Sequence, residues 1–258
     1  MNLLIALISL PAMGFAAVIL VPFAYAKWSA RSLARWCRHA QALVLTYDDG
    51  PGEILTPQVL ELLRRHQVKA TFFALGRSAS QSPGILDQVA AEGHELACHG
   101  NRHSHAWKVW PHEALHDIEQ GYANLARWLP GTALFRPPHG KITLFTWLAM
   151  VKRKARIVWW THDSCDTCAG ALPEVDAVVD GIVKDGGGGV VLLHDFDRQG
   201  GGSSPRHEFV LSVTRRLIER AAASGLRILT FGQLLELRRE PQPDPAKSAA
   251  LTNIAQPP

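Results

Sequence analysis

The sequence predicts an α/β fold, a deformed (β/α) barrel of about seven parallel strands preceded by one N-terminal transmembrane helix. Three observations predict it. From Ala42 onward, short apolar runs rich in Val, Leu, Phe and Trp alternate with longer stretches carrying apolar residues at helical spacing, the pattern of repeated strand-helix units. Ionisable or imidazole side chains stand at the ends of several of these runs, and in a β/α barrel those ends share one face. Before them, Leu3 to Ala26 carries no charged side chain and is long enough to cross a hydrocarbon core as a helix.

That first segment, residues 1–26, reads as a membrane anchor or an uncleaved signal segment. Ala24-Tyr25-Ala26 would suit a signal peptidase, but the apolar run is long and no Lys or Arg precedes it, which favours retention. Residues 27–41, with Lys27, Arg31, Arg35 and Arg38, read as a basic juxtamembrane linker. Because the opposite flank has no cation, the positive-inside rule places the rest of a single-pass membrane protein in the cytoplasm, with the periplasm or exterior as the alternative.

Residues 42–239 read as one catalytic domain. Strands are expected near 42–47, 70–75, 95–98, 133–135, 157–161, 190–193 and 227–229. Helices are expected over 57–67, 84–92, 111–129, 144–154, 175–184, 209–224 and 232–239. Residues 186–189 and 200–204 are Gly-rich turns. The tail, 240–258, holds five prolines and few large apolar residues, and reads as disordered.

Composition narrows the functional classes. In 258 residues, 47% hydrophobic content supports one sizeable core. The net charge of +4 comes from scattered cations without a nucleic-acid motif, so nucleic acid is excluded as a partner. Four cysteines make no dense disulfide framework. Cys165 and Cys168 stand as Cys-x-x-Cys, which suits a redox switch or half a zinc site, but no second pair completes four thiolates and plain loop cysteines are favoured. Cys98 points into the packing layer and Cys37 lies near the membrane.

The residues able to do chemistry are Asp48, Asp49, His99, Arg136, Asp163 and His194, each at the end of a different expected strand apart from the adjacent aspartates. Each alone has an ordinary explanation: an Asp-Gly turn, a surface cation, a helix N-cap, a loop opening. Together they would need five separate coincidences. Successive side chains of a strand point to opposite faces, so Asp48 and Asp49 cannot share one role: one can ligate while the other stays free. His99 and His103 are spaced to meet on one face of a helical turn, and with one Asp they make a three-ligand site open to water and substrate. His105 and His94 are alternative ligands, read as surface or supporting residues.

Five segments resemble, in order, the motifs of the polysaccharide deacetylase family, the NodB-homology group of carbohydrate esterases. They are Thr46 to Pro51, His99 to His103, Arg136-Pro137-Pro138-His139-Gly140, Asp163-Ser164-Cys165-Asp166 and Leu192-Leu193-His194, and the likeness runs from Ala42 to Leu235. The resemblance implies that Asp49, His99 and His103 hold one divalent metal, zinc before cobalt, nickel or another ion. It also implies that Asp48 is the general base, that His194 is the general acid held by Asp163, that Arg136 tunes Asp48, and that the backbone N–H of His139 stabilises the oxyanion. The implied activity is hydrolytic removal of N-acetyl groups from an amino-sugar glycan, a carbohydrate partner. A deacylase, deformylase or esterase and a silent glycan-binding membrane protein are the alternatives.

Three departures from the family pattern bear on the pocket. Thr167 stands where Trp is common, Gly100 where Ser or Thr is usual, and His139 where Tyr is usual. Trp107 and Trp110 are candidates for stacking on sugar, and Trp159 and Trp160 read as core.

Overall fold

The computed structural model describes residues 2–129, 134–184, 187–197 and 204–238, with side chains from 14 onward except 15. The elements run α1 (Asn2–His39), β1 (Ala42–Asp48), α2 (Leu55–Arg65), β2 (Thr71–Ala74), α3 (Gly76–Gln81), α4 (Pro83–Ala91) and β3 (Glu95–Cys98). There follow α5 (Pro111–Leu125), β4 (Leu134–Phe135), α6 (Leu144–Arg153), β5 (Arg156–Ile157) and β6 (His162–Asp163). The last are α7 (Val175–Val183), β7 (Gly189–His194), α8 (Pro205–Ala223), β8 (Arg227–Ile228) and α9 (Phe231–Leu237).

All strand pairs are parallel, in the order β5-β4-β3-β2-β1-β7-β6, with β8 against the start of β1. The run expected as one strand over 157–161 is broken in two. Its first half pairs β4 and its second pairs β7, with the amide of Val158 on Phe135 O and that of Thr161 on Val190 O. This single segment is both edges of the curled sheet, and changing partners midway prevents it from keeping one strand's geometry.

Period two along each strand divides the core. Leu43, Leu45 and Tyr47 face the helices in the larger cluster, while Ala42 and Val44 face the interior with Phe73, Ala97, Leu134 and Val190. Continued two residues at a time toward the strand ends, the interior rows reach Thr46 and Asp48, His99, Arg136, and Leu192 and His194. The alternation that builds the core also aims these polar side chains at one rim.

Residues 27–39, expected as a linker, continue α1 as helix. Leu33 and Cys37 on its inner face are buried with Val44, Val190, Phe231 and Leu234, while Lys27, Arg31, Arg35 and Arg38 are exposed. Burying that inner face requires helix periodicity, which a loose linker lacks. Among the described residues no helix is long and apolar enough to cross a membrane. Most side chains of the apolar run, and the tail 240–258, lie outside the described residues. The short helix α3 was not expected; its residues GRSASQ carry little apolar signal.

Candidate active site

Asp48 and His194 are register partners on adjacent strands β1 and β7. Asp48 is buried, and its Oδ1 accepts from Arg136 Nη1 at 2.7 Å. Arg136 is fully enclosed. The same Nη1 donates to Thr46 Oγ1 at 2.7 Å, and its guanidinium lies 4.0 Å from the Phe73 ring centroid. Burial depresses the guanidinium's pKa, and the Asp48 carboxylate opposes that fall.

Beyond Asp48 the backbone turns sharply. Asp49 takes a positive φ of 72°, uncommon for a side-chain-bearing residue, and Gly50 packs against Asp195 so closely that a Cβ would lie 2.2 Å from its Oδ1. The Asp195 carboxyl is pushed up to about 7 by burial, reinforced by the charges of Asp48 and Asp49, while its contact with Thr56 opposes the rise. This turn separates the two carboxylates: Asp49 Oδ1 lies 3.4 Å from His99 Nε2 and 3.2 Å from His103 Nε2. His99 Nδ1 donates to the Arg136 carbonyl at 2.7 Å, which leaves Nε2 facing the carboxylates, nearer Asp49 Oδ1 than Asp48 Oδ2 at 3.7 Å.

The spacing of His99 and His103 does bring the imidazoles together, with ring centroids 5.1 Å apart, but not on a helical turn. The segment is a loop folded back by Gly100 (φ 83°) and His103 (φ 62°). Asp117 of α5 accepts from the amides of Asn101 and Arg102 and holds the loop in place.

The one-oxygen, two-nitrogen group fits a divalent first-row ion. Asp49 Oδ1 is buried without a hydrogen-bond partner, the condition of an oxygen reserved for a cation. Burial alone would raise the Asp49 carboxyl, but His99, His103 and His194 around it hold it well below the usual carboxylate range. His103 is lowered to about 4, first by burial and then by its imidazole neighbours against the pull of Asp49, so it stays neutral and able to ligate.

The partner of His194 differs from expectation. Its Nδ1 lies 2.9 Å from Asp166 Oδ1, not on Asp163, and Asp166 is buried and also accepts from Arg206 Nη2 at 3.2 Å. Asp163 is exposed, and its Oδ1 accepts from the Cys165 amide at 2.8 Å. The chain turns back at Cys165 (φ 59°), so the fourth residue of the motif, not the first, returns to the rim. Burial would lower the His194 pKa, but Asp166, with Asp48 and Asp49, raises it to about 9. Sequence reasoning also missed Arg206, which carries no motif; only its position on α8 brings it to Asp166.

His139 sits in a 3-10 turn at φ 57°, and its amide makes no hydrogen bond among the described residues. Its ring packs 4.1 Å from His103 and 4.8 Å from His105. Gly140 follows at φ 63°, where a Cβ would meet the Trp160 ring at 2.6 Å. A cavity of about 370 Å³ gathers Asp48, Asp49, His99, His103, His139 and His194 with Trp160 and Thr167 on its wall. Trp160, read as core, therefore lines the site, whereas Trp159 is buried as expected. Trp107 lies against Phe23, and His94 is at the opposite end, accepting from the Ala70 amide. Cys165 and Cys168 are joined as a disulfide flanking Asp166.

A buried carboxylate and a separate imidazole around one cavity suit acid–base chemistry. Comparison with known proteins specifies which. A polysaccharide deacetylase family model matches residues 36–158. A peptidoglycan-N-acetylglucosamine deacetylase of Bacillus cereus is 31% identical over 220 residues, 85% of this chain and 97% of its own. A chitooligosaccharide deacetylase of Bradyrhizobium is 34% identical over 159 residues, 60% of this chain and 71% of its own. Among solved structures, the Bc1960 peptidoglycan N-acetylglucosamine deacetylase, in complex with 4-naphthalen-1-yl-N-oxidanyl-benzamide, matches with a TM-score of 0.67 at 28% identity, covering 75% of this chain and 87% of that one. A family 4 carbohydrate esterase from Streptomyces lividans in complex with acetate matches with a TM-score of 0.61 at 27% identity, covering 73% and 91%. The chain belongs to the polysaccharide deacetylase family and is a deacetylase.

Proposed function

We propose that this deacetylase is metal-dependent and releases acetate from N-acetylhexosamine units of a glycan: a polysaccharide, an oligosaccharide or a lipid-linked sugar. One observation carries the reading: the cavity holds a three-residue ligand group and, outside that group, a carboxylate and an imidazole on neighbouring strands. A metal-stabilised binding protein needs only the first. The names of the Bacillus and Bradyrhizobium relatives support the amino-sugar substrate.

Asp49, His99 and His103 would hold the ion, zinc before cobalt or nickel. When bound, it supplies Lewis acidity toward the acyl oxygen and acidifies water. Asp48, oriented by Arg136, takes the proton of the attacking water. The His139 amide donates to the acyl oxygen as that oxygen gains charge. His194, kept protonated at neutral pH by Asp166, delivers its proton to the departing amine, which leaves poorly without it. Asp163, exposed at the cavity edge, is left to the pocket rim. Thr167 on the cavity wall, where the family commonly has Trp, favours a second reading in which another small amide or ester is cleaved.

Leu3 to Ala26 is proposed to anchor the chain in a membrane. The cations from Lys27 to Arg38 favour a cytoplasmic domain. The Cys165–Cys168 bond favours the periplasmic or extracellular alternative, because such bonds persist in oxidising compartments. Alkylation in intact cells decides: free thiols mean cytoplasm, protected cysteines mean the other side.

The function is tested with Asp48→Asn and His99→Ala. Asp48→Asn should retain bound zinc and lose turnover, while His99→Ala should lose both, as read by metal content and acetate release. Turnover retained in Asp48→Asn overturns the base assignment.

A further inference from the structure

We infer that the catalytic domain lies on an anionic bilayer through a surface made jointly by α1 and α6, with α6 as an interfacial helix beside the membrane anchor. The inference rests on the proposed reading of Leu3 to Ala26 as membrane-inserted.

The exposed apolar side chains are not scattered. Of the large hydrophobic residues exposed among the described residues, all but Trp110 lie on these two helices. On α6, Phe145, Leu148 and Val151 are 46%, 55% and 60% exposed and recur every third residue, so they share one face. On α1, Leu20, Val21 and Trp28 are 59%, 51% and 59% exposed. The helices touch: Tyr25 stacks on Trp147 with centroids 5.0 Å apart, and Ala26 is buried with Ile142 and Trp159. Joined by these contacts, the two faces group the exposed apolar residues on neighbouring helices, larger in kind than singly exposed residues.

Charge identifies the occupant as lipid. The first acidic residue of the chain is Asp48, and none occurs from 141 to 162. The same two segments carry Lys27 and Arg31, and Lys141, Lys152, Lys154 and Arg156. An apolar helix face flanked by cations alone matches an acyl boundary beneath anionic headgroups, with Tyr25, Trp28 and Trp147 as interfacial aromatics. The surface also reaches the active site: Phe23 of α1 packs on Trp107, and His105, two residues earlier, packs on His139 of the cavity rim. Docking therefore brings that rim to headgroup level, where a membrane-borne amino sugar would be presented.

The test uses the full chain with Leu148→Cys labelled by nitrobenzoxadiazole. Cys37 and Cys98 are buried and, in the oxidised protein used for labelling, Cys165 and Cys168 are bonded, so labelling falls on the new thiol. The protein is reconstituted in phosphatidylcholine vesicles with and without phosphatidylglycerol. The label is expected to shift to the blue and to be quenched by nitroxide lipids several-fold more than the same label at Gln88→Cys on α4, most strongly with phosphatidylglycerol. Adding Phe145→Ser and Val151→Ser should return it to water. A label at 148 as solvent-exposed as that at 88 overturns the inference. So does a label shielded from water but beyond reach of the lipid quencher, which would mean that protein covers the face. A chain that fails to float with the vesicles overturns the anchor and the docking together. None of these readings measures turnover, so the deacetylation proposal stands or falls separately.

Discussion

At the residue scale the sharpest consequence concerns Asp166. A His with its pKa raised to about 9 donates a proton readily at neutral pH and loses that ability as pH rises through 9. Asp166→Asn should move the alkaline limb of the kcat profile toward the ordinary imidazole range near 6.5 and so cost roughly 30-fold at pH 8, where the protonated fraction falls. Asp163→Asn should leave that limb in place. The sign for stability follows from the same shift. The ion pair contributes fully below the unfolded value of about 6.5 and is lost as pH rises through about 9, so the stability difference between wild type and Asp166→Asn should shrink across that interval. Denaturant titrations at pH 6 and pH 9.5 check it; an undiminished difference contradicts the assignment. The spacing of Asp-Ser-Cys-Asp offered two carboxylates and no means of choosing, because the choice rests on the left-handed backbone at Cys165, which composition does not reveal.

At the scale of elements, the site depends on helices and glycines that carry no chemistry. Gly121 of α5 faces the loop bearing His99 and His103; a Cβ there would stand 2.5 Å from Gly100 C, a backbone atom that cannot swing aside. Gly121→Ala should destabilise the fold by about 1–3 kcal/mol and weaken zinc binding along with it, read by thermal unfolding and metal titration; unchanged affinity would show that α5 does not position the loop. Arg136→Met should cost about 3–5 kcal/mol because it strands a buried Asp48 carboxylate. Strand identities and the inward row ending in Asp48, His99, Arg136 and His194 were legible because period two is a local property. The broken strand at 156–163, the short α3 and the placement of Arg206 were not, since each is fixed by which distant strand or loop it meets.

At the scale of the molecule, the N-terminal helix joins two stretches that the sequence presents as separate segments. Its inner face completes the barrel's lower core through Leu33 and Cys37, while its exposed apolar residues continue toward the uncharged run. Removing it would expose Val44, Phe231 and Leu234, so a domain cut at Ala42 should unfold at lower denaturant than the full chain. Stability unaffected by the cut would mean that α1 contributes nothing to that core.

The central claim is that Asp49, His99 and His103 hold an ion whose chemistry Asp48 and His194 complete on an acetylated amino sugar. Acetate release from N-acetylglucosamine oligomers by the full chain, measured with chelator and again after zinc or cobalt is restored, tests it most directly. Release that chelator abolishes, metal restores and Asp48→Asn lacks is the result expected. Release indifferent to chelator, or persisting in Asp48→Asn, would contradict it.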